Sequence, residues 1–175
     1  MYEKRNPYLP NTLTYSKLMV IEMVLLLTKK DLEHVLSMKD AIEAVEEGFK
    51  QFALGTVTMP QRTIMKIDEH KGILGIMPAY IGGGMDVLGM KVISTFPDNP
   101  SKHNIPATLG TLILNDAKTG CILALIDGVY LTAMRTGAAS AVATKYLART
   151  DSETVGVFGA GVQARTQLWA ICEVR

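Results

Sequence analysis

Apolar residues recur at helical spacing between Met38 and Ala53: Met38, Ala41, Ile42, Val45, Phe49, Phe52 and Ala53 share one face. Glu43, Glu46, Glu47 and Lys50 lie opposite, as on a solvated helix surface. Ser37 with Asp40 three residues on forms a capping box, and Gly55 is placed to end the helix in a left-handed turn. A shorter helix precedes it, capped by Thr28 with Asp31, and Val24 to Leu27 reads as a first strand.

The rhythm then shortens. Strands are predicted over Arg62–Ile67, Gly72–Met77, Val87–Thr95, Thr108–Asn115 and Cys121–Ile126. Gly82-Gly83-Gly84 and Lys118-Thr119-Gly120 supply turns, and Asp116 to Gly120 reads as a hairpin. Connections this short favour antiparallel neighbours. Pro97-Asp98-Asn99-Pro100 is predicted to be a loop, because two prolines do not fit one paired strand.

Asp127 is placed to cap a long helix from Gly128 to Ala148, and Gly137, Ala138, Ala139, Ser140, Ala141 and Ala143 let it pack closely. After a polar break, Thr154 to Phe158 reads as a strand running into Gly159-Ala160-Gly161-Val162-Gln163-Ala164, a G-x-G-x-x-A turn that opens another helix. A dinucleotide-binding unit starts this way: Gly159 allows the tight turn, Gly161 lets backbone approach a pyrophosphate, and Ala164 allows close helix packing. Its ribose-binding acid belongs roughly 20 residues further on, whereas 11 residues follow Ala164 (175 − 164).

The pattern implies an α/β chain: an α+β domain with a mostly antiparallel or mixed sheet, then the start of a Rossmann domain. The expected divisions are a tail over 1–22, a substrate-binding and dimerisation domain over 23–126, a linker helix over 127–150, and a first strand-turn-helix over 151–175. Leu18 to Leu27 superficially resembles a signal peptide, but Glu22 interrupts it and Thr28-Lys29-Lys30-Asp31 is no cleavage site. It is also too short to span a bilayer.

Formal charge is +1, with no block of like charge, so the sequence points to neither nucleic acid nor a membrane surface as partner. Cys121 and Cys172 sit in apolar runs and read as buried thiols in a reducing cytoplasm. His34, His70 and His103 lie in polar surroundings without metal-ligand spacing, so no metal is expected.

Arg62, Lys91 and Arg135 each fall in a segment that otherwise reads as structural. Cations inside apolar runs invite an anion, and a substrate carboxylate is one candidate. Taken alone, each is more readily a salt-bridged or snorkelling side chain at a strand or helix end.

Several segments together resemble the ornithine cyclodeaminase/mu-crystallin family from about residue 23 to 175: Val24-Leu25-Leu26-Leu27-Thr28-Lys29-Lys30-Asp31-Leu32, Pro60-Gln61-Arg62, Met77-Pro78-Ala79-Tyr80, Gly89-Met90-Lys91-Val92, Phe96-Pro97-Asp98-Asn99-Pro100, the stretch from Leu131 to Ser140, and Gly159 to Ala164. The resemblance implies hydride transfer between NAD or NADP and the α-carbon of an amino or imino acid in the intact protein. It favours an ornithine cyclodeaminase-like lyase, turning ornithine into proline and ammonia. Alanine dehydrogenase, ketimine reductase, or a non-catalytic binding and dimerisation module are the alternatives.

Carried over by position, Arg62, Lys91 and Arg135 would bind the carboxylate. Thr108, Arg135 and Thr136 would lie towards the cofactor, and Gly159, Gly161, Val162 and Gln163 would contact its pyrophosphate. The catalytic Asp of such enzymes would fall beyond Arg175. A homodimer through the sheet is implied, and a separately encoded C-terminal half is a further possible partner.

Overall fold

The computed structural model describes residues 24–175; the expected tail over 1–22 lies outside the described residues. Strand β1 (Leu25–Leu27) leads into helices α1 (Lys29–Val35) and α2 (Met38–Ala53). Both capping boxes form: Thr28 Oγ1 and Ser37 Oγ accept from the Asp31 and Asp40 amides, and each aspartate accepts from its cap residue's amide. Gly55 closes α2 at φ +74°.

Strands β2 (Val57–Thr58), β3 (Thr63–Ile67), β4 (Gly72–Ile81), β5 (Val87–Thr95), β6 (Thr108–Asp116) and β7 (Ile122–Asp127) complete one seven-stranded sheet. Its order is β1-β7-β6-β5-β4-β2, with β3 also paired to β4. Only β1 and β7 run parallel; the other described pairings are antiparallel. The β6–β7 hairpin turns through Gly120 at φ +76°, as the turn chemistry predicts.

Asp127 caps helix α4 (Gly128–Leu147) by accepting from the Tyr130 amide at 2.7 Å. The helix starts against the sheet: a Cβ on Gly128 would sit 2.7 Å from the Gly110 carbonyl carbon. Helix α5 (Val162–Cys172) then crosses α4. Met38, Ala41 and Ile42 of α2, Met134, Ala138, Ala141 and Val142 of α4, and Ala170 of α5 form the main core cluster. One sheet face is covered by α4. The other is apolar, with Leu26 and Leu109 well exposed.

Several expectations are corrected. Phe49 and Phe52 are 53% and 59% exposed, because the buried stripe of α2 stops after about two turns. Gln51 is the buried residue of the last turn instead; its Oε1 accepts from Thr56 Oγ1 at 2.7 Å and sits where a Gly83 side chain would be. Cys121 and Cys172 are exposed, since they fall at a strand edge and a helix end rather than inside the apolar runs. Within the expected 97–100 loop, Asn99–Lys102 forms a short helix, α3, with Pro100 in its first turn, where no amide is needed. Thr154 to Phe158 is not a paired strand, and Phe158 is fully exposed. A parallel strand depends on neighbours for its hydrogen bonds, and no described strand runs beside it.

Strand β4 continues past its proline to Ile81. Thr58 pairs with Tyr80 and Thr63 with Ile76, so residues 59–62 on one side face only 77–79 on the other. This one-residue excess is a bulge between β2 and β3. Pro78 lies opposite it, where the missing amide interrupts no ladder.

Candidate functional site

The bulge, the middle of β5 and the second turn of α4 converge. Lys91 is central in β5, paired with Met77 on one side and Leu112 on the other. It is half-buried, and its ammonium donates to Thr132 Oγ1 of α4 at 3.5 Å. Arg135 lies three residues further along α4, on the same side of the helix as Thr132. Arg62 enters from the bulge just before β3, correcting its expected place as the first strand residue. It lines a hollow of about 300 Å³ with Met59, Pro60, Gln61, Met77 and Pro78.

The Lys91 pKa is pushed down, first by burial and then by the positive charges of Arg135 and Arg62. Arg62, Lys91 and Arg135 are thus one electrostatic group. The ion pairs among the described residues all lie elsewhere. Lys91 is thus a half-buried ammonium near two exposed arginines, with no ion pair to a carboxylate among the described residues, an arrangement that would favour an anion.

The remaining residues singled out from sequence are spread further. Thr108 opens β6, its Oγ1 3.3 Å from Thr95 Oγ1. Thr95 is four residues beyond Lys91 on the same strand face, ~13 Å along it. Thr136 donates its hydroxyl to the Thr132 carbonyl at 2.7 Å. Gly159 turns at φ +98°, and Gly161 heads α5 with no side chain capping the first-turn amides. A Cβ at either glycine would meet open space, and Val162 and Gln163 are exposed. Free amides at a helix N-terminus behind a side-chain-free turn fit a pyrophosphate.

That turn is tied to the cationic group through α4. A Cβ on Gly137 would lie 2.5 Å from the Thr166 carbonyl oxygen of α5, and Ser140 donates to Gln167 at 3.0 Å. The crossing point is two residues from Arg135 and four from Val162.

The sequence missed Thr132 and the bulge. Thr132 was legible as the residue one turn before Arg135 on a helix. The bulge was not, because it depends on the register of two strands that pair with β4 separately. The three histidines are exposed, as expected, and no three His, Cys, Asp or Glu residues gather to hold a metal among the described residues. No described helix is long and apolar enough to cross a membrane.

Comparison with known proteins decides the family. The model of the ornithine cyclodeaminase/mu-crystallin family matches residues 22–175. The chain belongs to this family. An alanine dehydrogenase of Archaeoglobus fulgidus is 41% identical over 150 residues, 86% of this chain and 45% of that protein. The ketimine reductase mu-crystallin of Rattus norvegicus is 39% identical over 123 residues, 70% of this chain and 39% of that protein.

Among solved structures, the Thermococcus litoralis Δ1-pyrroline-2-carboxylate reductase in complex with NADH and L-proline superposes with a TM-score of 0.81 at 52% identity. It covers 87% of this chain and 46% of that one. An archaeal alanine dehydrogenase dimer with bound NAD gives 0.81 at 41% identity, again over 87% and 46%. A lysine cyclodeaminase, solved for recognition of L-lysine, L-ornithine and L-2,4-diaminobutyric acid, gives 0.73 at 38%, over 86% and 46%. The chain spans less than half the length of each of these relatives.

Proposed function

We propose that this chain carries the carboxylate-binding part of an NAD(P)-dependent enzyme that oxidises an amino acid or reduces an imino acid at the α-carbon. The observation that carries this reading is the Arg62–Lys91–Arg135 group, left without a described acid. The family relationship supports it, since relatives include alanine dehydrogenase, pyrroline-carboxylate reductase, ketimine reductase and lysine cyclodeaminase.

In this reading Arg62, Lys91 and Arg135 neutralise the carboxylate and fix the orientation of the α-carbon. Thr132 orients the Lys91 ammonium. Gly159, Gly161, Val162 and Gln163 hold the pyrophosphate, and Arg135 and Thr136 stand between the two ligands. Thr108 keeps the cofactor-side role implied by the resemblance. NAD or NADP, when bound, supplies the hydride acceptor or donor. The domain divisions at 126 and 150 belong to this proposal, with α4 as the linker that brings the substrate residues and the Gly turn together.

The partner reading is a homodimer through the open sheet face, supported by that face's apolar exposure and by the dimeric alanine dehydrogenase relative. The unpaired Thr154–Phe158 segment favours a second contact, with parallel strands from outside the described residues, whether in a longer chain or a separate half.

The test is a family-length enzyme carrying Lys91→Ala or Arg135→Ala. Each is expected to raise KM for the amino or imino acid by about 10–100-fold, the scale of one lost charged hydrogen bond, and KM for the nucleotide far less. Equal effects on both constants would remove the carboxylate assignment.

A further inference from the structure

Helices α4 and α5 carry the two halves of the proposed site, and one side-chain hydrogen bond joins them. Along α4, Thr132, Thr136, Ser140 and Thr144 recur every fourth residue and so form one row of hydroxyls. Thr136 and Thr144 donate to the carbonyls four residues back, at 2.7 and 2.8 Å. Ser140 breaks the pattern. Its contact with the Thr136 carbonyl is 3.4 Å, and its closer acceptor is Gln167 Oε1 of α5 at 3.0 Å. A hydroxyl has one proton to give, so Ser140 turns it from its own helix to the neighbouring one. Among the described residues, no other side-chain hydrogen bond links α4 to α5 themselves.

The contacts beside this bond hold the helices close without giving them a direction. The closest approach is at Gly137, where the Thr166 carbonyl fills the space of a side chain. The neighbouring apolar contacts come from small residues, Ala138 and Ala141 of α4 and Ala170 of α5. Smooth apolar surfaces leave one helix free to swing across the other, whereas a hydrogen bond is directional. Ser140 lies one turn beyond Gly137, and Gln167 is next to Thr166. A bond set off from the pivot in this way resists the swing.

The swing has consequences because of where the ligands would lie. Gly161 is five residues before Thr166, so the Gly turn stands ~8 Å from the pivot. A swing of ~10° moves a point at that distance by roughly 1 Å, and a misplacement of ~1 Å can cost about 100-fold in rate.

We infer that Ser140 and Gln167 are a positioning pair: their hydrogen bond sets the angle between α4 and α5, and with it the placement of a nucleotide at the Gly turn relative to a carboxylate at Arg62, Lys91 and Arg135. This rests on the proposed function and adds to it two residues that act through others. Neither is hydrogen-bonded through its side chain to the Gly turn or to the cationic group.

The test is a double-mutant cycle in a family-length enzyme. Ser140→Ala and Gln167→Leu each remove one partner and little volume. Each is expected to lower kcat about tenfold, to change either KM by less than about twofold, and to raise the isotope effect of a substrate deuterated at the α-carbon. The double variant should be no slower than either single one. Gln167→Glu keeps an acceptor for the Ser140 proton and should keep kcat within about twofold. Losses that multiply in the double variant, an unchanged isotope effect, or no rescue by Gln167→Glu would each overturn the pair. Lower thermal stability with kcat retained would leave a structural role alone and overturn it as well.

The 175-residue chain gives a second reading that needs no activity. In its NMR spectrum Ser140→Ala is expected to shift the amide signals of Gly161 and Val162, and Gln167→Glu to leave them in place. Unmoved signals in Ser140→Ala would overturn the inference. A family-length enzyme inactive towards every amino and imino acid would instead remove the proposed function and the positioning role with it, while these amides still decide whether the bond sets the helix angle.

Discussion

Lys91 and Thr132 are joined across 41 residues of sequence by a 3.5 Å contact between the β5 ammonium and the α4 hydroxyl. That contact fixes which face of the sheet holds the charge. It also places Arg135, one turn along α4, close enough to depress the Lys91 pKa. The chain therefore holds Lys91 in a position where its charge is disfavoured in the absence of an anion.

Stability is expected to reflect that. A cation whose folded pKa lies below its unfolded value binds fewer protons in the native state, so native stability rises as pH climbs from the folded pKa towards the ordinary lysine value. Lys91→Met removes the half-buried charge and keeps most of the volume. It is expected to stabilise the fold, and a gain of about 1 kcal/mol would raise Tm by roughly 2–4 °C in a chain of this size. The same variant should lose carboxylate binding. A lower Tm in calorimetry would mean that Lys91 has an anionic partner within the protein.

Ligand binding should move the same group in the opposite direction. A carboxylate favours the charged ammonium, so the Lys91 side-chain signal in an NMR pH titration should shift to a higher midpoint with saturating L-norvaline. An unaltered midpoint, with binding visible elsewhere, would place the ligand away from Lys91.

The helix caps give a different pH dependence. Asp40 has its pKa lowered by hydrogen bonds from the Ser37 hydroxyl and amide. Its contribution is fully present above the unfolded carboxylate range and is lost as pH falls through the lowered folded value. Ser37→Ala is expected to cost about 1 kcal/mol at neutral pH and Ser37→Gly only a few tenths. Urea unfolding at pH 7 and pH 3 would check both, with the Ser37→Ala penalty shrinking at the lower pH.

The caps also show what kind of information the sequence carried. Thr28 with Asp31, Ser37 with Asp40, and Asp127 before α4 are local devices that need nothing beyond three or four residues. The Asp116–Gly120 hairpin and the Gly55 terminus are of the same kind. What failed depended on distant partners. Thr154 to Phe158 has the composition of a buried strand but no described neighbour to pair with. Phe49 and Phe52 keep the helical period of α2 after the opposing surface has ended. Gln51 is buried because Thr56 and the glycine turn at Gly83 close around it, a packing no period reveals. The candidate site was half legible: unexplained cations could be named, but the bulge that opens the hollow beside Arg62 is a fact of strand register.

Exposure of both cysteines has a direct consequence. Cys121 and Cys172 are each solvent-accessible and unpaired in a disulfide, so two thiols per chain should react with a thiol reagent under native conditions, without denaturant. A single fast thiol would mean that one of them is covered in solution.

The crossing of α4 and α5 depends on one missing side chain. A Cβ on Gly137 would stand 2.5 Å from the Thr166 carbonyl oxygen, and backbone cannot move aside as a flexible side chain can. Gly137→Ala is therefore expected to destabilise by about 1–3 kcal/mol, the cost of overpacking, even though alanine is the better helix former. Gly48 in α2 is the control: nothing lies within 4 Å of where a Cβ would stand, so Gly48→Ala should stabilise by about 1 kcal/mol. Because α5 carries the Gly159–Gly161 turn at its head and α4 carries Arg135, displacing one helix against the other would also separate the two halves of the proposed site. In a family-length enzyme, Gly137→Ala should lower kcat more than it raises either KM, whereas Gly48→Ala should leave all three unchanged.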